Sequence, residues 1–130
     1  MSTLSTLKYL GFRDGVDFLL SDSGVAASPD INWLSTSQQP TPAEIAAAEL
    51  PAAKAAAIAA NRAECERRIY ARYPIGRQLS SLAGRYDAVN VAVMDEWIVA
   101  NIQAENAAAD AIEAATTVAA VEAVTVAWPV

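Results

Sequence analysis

From Thr41 onward the apolar content of this chain is dominated by alanine, and that alone narrows the folds open to it. Runs such as Ala46-Ala47-Ala48, Ala55-Ala56-Ala57 and Ala107-Ala108-Ala109 recur through the sequence. Alanine loses no side-chain entropy on entering a helix and is the strongest helix former, yet each one buries little area. Alanine-rich helices therefore form readily, approach one another closely and enclose a thin core. Larger apolar groups are few, with two Phe, three Trp and four Tyr among 130 residues. At 54% hydrophobic and 18% charged the chain is still too apolar to be disordered throughout. The expectation is one domain-sized chain with a small core, completed by burial against a partner or a second copy.

Helix boundaries are written into the sequence. Thr41-Pro42-Ala43-Glu44 combines a capping hydroxyl, a proline suited to the first helical position and a glutamate three residues after the cap. Pro51 predicts an end near Leu50 or a kink. From there a helix should run to Tyr73, where Pro74 stops it, with Ile58, Cys65, Ile69 and Tyr73 forming a stripe at helical spacing. A short helix follows from Ile75, closed by Gly84. The next starts at a cap provided by Asp87 or Asn90 and reaches about Ala115, with Met94, Trp97, Ile98, Ile102 and Ile112 on its buried side. Val118–Val124 reads as a last helical turn or two, and Thr125-Val126-Ala127-Trp128 as a β-like return toward the N-terminal strands.

The first forty residues differ in kind. Tyr9-Leu10-Gly11-Phe12 and Asp17-Phe18-Leu19-Leu20 flank Arg13-Asp14-Gly15, and Asp-Gly between apolar runs predicts a hairpin. Ser21-Asp22-Ser23-Gly24 predicts a second turn, and Ile31-Asn32-Trp33-Leu34 alternates as a short strand. The fold class expected is therefore mainly α (α+β). Residues 1–40 form a small β element and linker; residues 41–130 form an alanine-rich helical hairpin or three-helix bundle with a β-like tail. A hairpin of this size is marginal alone, so Phe12, Phe18 and Trp33 should pack on a helix or on another chain.

The net charge of −6 is unevenly laid out. Residues 1–61 hold six acids and three bases, residues 62–85 two acids and six bases, and residues 86–130 seven acids and no base. A basic segment between acidic ones meets an acidic helix of the same molecule or an acidic partner. Nucleic-acid binding is disfavoured, because the acidic remainder opposes phosphate. The alanine-rich runs are interrupted by Lys54, Arg62, Glu105 and Asp110, which disfavours a membrane span. Met1–Tyr9 lacks the basic-then-apolar layout of a secretory signal, so the expectation is a soluble chain made in a cytoplasm.

Catalytic chemistry finds little to work with. There is no histidine and one cysteine, Cys65, and no base is evident beside that thiol. Its position in the apolar stripe favours a small core residue. Asp95 and Glu96 are adjacent, so on a helix they point about 100° apart; Glu64 and Glu66 diverge likewise. No phosphate-binding glycine loop or metal-ligand spacing occurs. The expectation is a non-enzyme without catalytic, cofactor-binding or metal-binding residues. Arg67, Arg68, Arg72, Arg77 and Arg85, interleaved with Tyr70, Tyr73 and Tyr86, form the best candidate contact surface, since arginine and tyrosine concentrate interface energy. The competing reading has these arginines pair with Asp95, Glu96 and Glu105 on the facing helix. The N-terminal aromatics and Trp128 complete the interface candidates.

The order of parts resembles a known group. Phe12-Arg13-Asp14-Gly15-Val16-Asp17-Phe18, then Ile31-Asn32-Trp33-Leu34, then Gln38-Gln39-Pro40-Thr41-Pro42-Ala43-Glu44-Ile45 opening an alanine-rich helix, resembles small proteins of the tail-fibre region of tailed bacteriophages, including XkdW-like and tail-fibre assembly proteins. Lys54–Asn61, with Ala111–Thr117 and Val121–Val124, is similar to the helical domain at the ends of many phage tail-fibre proteins. The resemblance spans about half the chain and leaves Arg62–Arg85 unmatched. It implies no catalytic residue, a tail-fibre or baseplate protein as partner, and a place in the virion tail or at its assembly. Two roles follow as expectations, a structural tail component and an assembly chaperone that leaves the finished fibre.

Overall fold

The computed structural model describes residues 2–21 and 29–130. Five helices and two strands follow in the order α1 (Thr3–Tyr9), β1 (Phe18–Ser21), β2 (Asp30–Trp33), α2 (Pro42–Arg72), α3 (Ile75–Leu82), α4 (Ala88–Ala114) and α5 (Val118–Glu122). The molecule is mainly helical with a small antiparallel β hairpin ahead of the long helices, as the sequence predicts.

The long helices begin where the caps place them. Thr41 accepts from the Glu44 amide, and the Glu44 carboxylate accepts from the Thr41 amide, so two amides left bare at the helix end are satisfied. Asp87 caps α4 by accepting from the Asn90 amide at 2.8 Å. Gly84, at φ +74°, reverses the chain after α3: its amide donates to Ser81 and that of Arg85 to Ser80, the paired closure in which only a left-handed residue fits. Pro51 does not break the helix. α2 runs continuously through it for 31 residues, about 45 Å, because the alanine-rich surroundings favour helix strongly enough to absorb one missing donor.

Three links show how α2 and α4 pair. Lys54 Nζ donates to the Glu113 carbonyl at 2.6 Å, Arg62 lies 3.6 Å from Glu105, and the Arg72 guanidinium lies over the Trp97 ring at 4.2 Å. Residue numbers rise along α2 as they fall along α4, so the helices form an antiparallel hairpin. Its open end holds the aliphatic core, where Ala53, Ile112 and Val121 are buried and Leu50, Ile58, Val118 and Val124 close around them. Further along, Cys65 and Met94 are also buried. Ile102, expected inside, is exposed, because it lies on the outer flank of the stripe made by Asn101, Ala108 and Ile112.

The N-terminal segment contains an element that the sequence reading missed. Tyr9-Leu10-Gly11-Phe12 is no strand; it is the end of α1, which starts at the Ser2 cap. Gly11, at φ +92°, closes that helix, with its amide donating to Lys8 and the Phe12 amide to Leu7. Helix α1 packs on α2, with Leu7 fully buried, so α1 is tied to the helical part. The Arg13-Asp14-Gly15 turn exists, held by the Asp17 carboxylate accepting from the Arg13 amide at 2.7 Å. It leads into β1, whose pairing strand is β2, with Phe18 opposite Trp33 and Ser21 opposite Asp30. The second expected turn, at Asp22-Ser23-Gly24, lies outside the described residues. The C-terminal tail does not return to the sheet: Thr125–Trp128 is irregular, and the Trp128 ring lies 5.0 Å below the Arg68 guanidinium on α2.

Candidate protein interaction surfaces

The arginines of α2 and α3 divide into two groups. Arg67 binds Glu64 through two hydrogen bonds of 2.7 and 2.6 Å, and Arg68 adds a third at 2.9 Å. All three residues belong to one helix, where three- and four-residue spacing brings their side chains together. The hydrogen bond from Arg67 pulls the Glu64 carboxyl down to about 2 against an opposing effect of desolvation, with the charge of Arg67 and the hydrogen bond and charge of Arg68 adding to the lowering. Arg68 also donates to the Pro129 carbonyl at 3.4 Å, which ties the tail down.

Beyond Arg68 the arginines meet aromatic rings. Arg72 lies over Trp97 and, at 5.7 Å, over Tyr73; Arg77 lies over Tyr73 at 5.2 Å and Tyr86 at 5.8 Å. Such cation–π contacts contribute about 0.5–1 kcal/mol each at exposed positions. They orient planar, weakly hydrated guanidinium groups without neutralising them. The pairing with the facing helix expected for this cluster does not form among the described residues: Arg67 and Arg68 turn to Glu64 on their own helix, and Glu105 lies beside Arg62, outside the cluster. Among the described residues Arg72, Arg77 and Arg85 have no carboxylate within ion-pair distance, nor do Asp95 and Glu96 have a base. The reason is geometric: the Trp97 ring on α4 occupies the place facing Arg72.

The structure distributes the candidate residues unequally. It brings Arg72 and Arg77 together around Tyr73, with Arg72 also over Trp97, leaves Tyr70 exposed, and sets Arg68 over Trp128 beside Arg67. Tyr73 is buried and anchors the cluster, its carbonyl accepting from Gln78 Nε2 at 2.7 Å. Phe18 is fully buried, so it holds the N-terminal element to the protein and presents nothing to a partner. Phe12 and Trp33 are half-buried and meet edge to face with ring centroids 4.8 Å apart; Trp33 Nε1 donates to the Ser37 carbonyl at 2.6 Å. Beside Phe12 an open groove of about 500 Å³ runs between Leu10, Gln39, Pro40, Glu44 and Ala47.

The sequence reading missed an apolar surface at the loop end. Ile75, Leu79 and Leu82 recur at i, i+4 and i+7 on α3, and Val89 and Val93 recur at i and i+4 at the start of α4; all five are exposed. The spacing was legible in the sequence, but only a short helix closed by Gly84 was read there. Cys65 is buried, and its thiol is pushed up first by desolvation and then by the charges of Glu105 and Glu66, which disfavours the nucleophilic thiolate. Among the described residues no group of three or more His, Cys, Asp or Glu is placed to hold a metal, and no helix is long and apolar enough to cross a membrane. Compared with known proteins, the chain matches no family model, no curated sequence and no solved structure.

Proposed function

We propose that this chain is a non-enzymatic structural component of a bacteriophage tail, docking on or forming part of the tail fibre or baseplate. The observation that carries the reading is a helical hairpin with exposed apolar side chains toward both ends and only a small core, near its open end. At the N-terminal end, Tyr9, Leu10, Val16, Leu19 and Leu34 are exposed around a two-stranded sheet, whose outer edges have no neighbouring strand among the described residues. Such an edge accepts a further strand from another chain. The phage assignment rests on the resemblance of Phe12–Phe18, Ile31–Leu34 and Gln38–Ile45 to tail-fibre-region proteins. The N-terminal end is then the face that meets the fibre or baseplate protein.

Mass spectrometry of purified particles from the source phage, with copy number per particle, tests this. A fixed, integral number of copies is the expected result. Absence from particles, with recovery of the chain on fibre protein from a lysate, would replace the structural role with that of an assembly chaperone. Absence from both would sink the phage assignment.

A further inference from the structure

We propose that the loop end of the helical hairpin binds a second copy of this chain, in a two-fold arrangement that joins α3 and the first turns of α4 to their equivalents. The inference concerns the end of the hairpin away from the proposed fibre contact, so it stands independently of which fibre is bound.

The apolar stripe is the first observation. Leu82 is 85% exposed, Val89 73%, and Ile75 and Leu79 58% each. Helix α3 buries no residue at all, although its spacing makes one apolar face. A short helix with all its aliphatic side chains exposed has little to hold it in place, and an uncovered apolar helix face of this kind marks an interaction site.

The charges beside the stripe select the occupant. Arg72, Arg77 and Arg85 have no carboxylate partner among the described residues, and Asp95 and Glu96 have no base. Asp87 is engaged as the α4 cap. Residues 72–96 thus carry three bases and three acids and are neutral overall, in a chain whose net charge is −6. An acidic partner would satisfy the arginines and repel Asp95 and Glu96; a basic one would do the reverse. A wholly apolar partner would leave both sets bare. A second copy turned by a two-fold axis offers carboxylates to the arginines and arginines to the carboxylates, because residue i meets j wherever j meets i. The aromatic rings under Arg72 and Arg77 hold these guanidinium groups in place beforehand, which lowers the entropy lost on pairing.

Sedimentation velocity of the full chain over a concentration series tests the proposal, with circular dichroism to confirm helicity in every variant. The expected result is a monomer–dimer equilibrium that Leu82→Glu weakens about tenfold or more. Leu82 touches little in the monomer, so the substitution should leave helicity unchanged. Arg77→Glu and Glu96→Arg should each weaken the dimer, and the two together should restore part of the loss. A chain that stays monomeric at all concentrations overturns the proposal. So does a dimer indifferent to Leu82→Glu but disrupted by Leu19→Lys, which would place the contact at the sheet edge. An assembly larger than two through the loop end overturns the two-fold arrangement.

Discussion

The two ends of the α2–α4 hairpin are built from the same helices, yet they are held together by different physics. At the open end Ala53 lets α4 and α5 come close, so Ile112 and Val121 fill the space and almost no solvent reaches them. At the loop end Arg72 reaches the Tyr73 and Trp97 rings. The contacts there are guanidinium groups over rings, while Ile75, Leu79 and Leu82 remain in water. Dense packing of small and branched side chains gives stability that belongs to one molecule. Oriented cations beside an uncovered stripe contribute little to the monomer and leave much to be gained from a partner. The difference teaches that apolar content does not by itself mark a core; what decides is whether another element reaches it.

Substitution of one aliphatic residue at each end gives the largest expected contrast. Ile112→Ala should destabilise the monomer by about 2–5 kcal/mol in denaturant unfolding, since its side chain is enclosed and the cavity cannot collapse fully. Leu82→Ala should change monomer stability by less than ~0.5 kcal/mol, measured at concentrations too low for association. Equal effects at the two positions would break the comparison.

A smaller effect is expected midway along the hairpin, where the two regimes meet. Asn101 is fully buried, its Nδ2 donating to the Trp97 carbonyl at 2.8 Å, while its Oδ1 and the Trp97 Nε1 have no hydrogen-bond partner among the described residues. An unpaired buried oxygen costs about 1–3 kcal/mol. Asn101→Leu, of similar volume, should therefore raise stability by about 1 kcal/mol. A lower unfolding midpoint for this variant would show that the amide contributes a favourable interaction.

The smallest effect belongs to the Glu64 cluster on α2. Its carboxyl pKa is about 2 in the folded chain against an ordinary value of 4.5. A depressed value means that the folded state favours the charged form, so the contribution is fully present above about pH 4.5 and is lost as pH falls toward 2. Because the site is exposed, the effect is modest and screened by salt. Thermal unfolding of Glu64→Gln against the parent chain should show a small deficit at pH 6 that disappears near pH 2. A deficit independent of pH would mean that the carboxylate charge is irrelevant to it.

Much of the fold was legible in the residues, and the exceptions have identifiable causes. The starts of α2 and α4 and the end of α3 were readable because Thr41, Glu44, Asp87 and Gly84 act within one turn of their own backbone. Helix α1 was missed because Leu10-Gly11-Phe12 beside Asp14-Gly15 carries a turn signal, and a glycine that closes a helix looks the same as one that starts a hairpin. The arginine–tyrosine cluster was found from composition. Its link to Trp97 was not, because that contact joins residues on separate helices.

The sequence alone determined what depends on neighbours in the chain: alanine-rich helices, their caps, the Gly84 reversal, the single buried-stripe thiol and the division of charge. Only the tertiary structure decided which apolar stripe became a core and which stayed a surface. The stripes at Ile112 and at Leu82 satisfy the same periodicity, and α5 returns over the first while no described element covers the second. Whether a side chain is buried is set by where distant segments come to rest, and no local pattern contains that information.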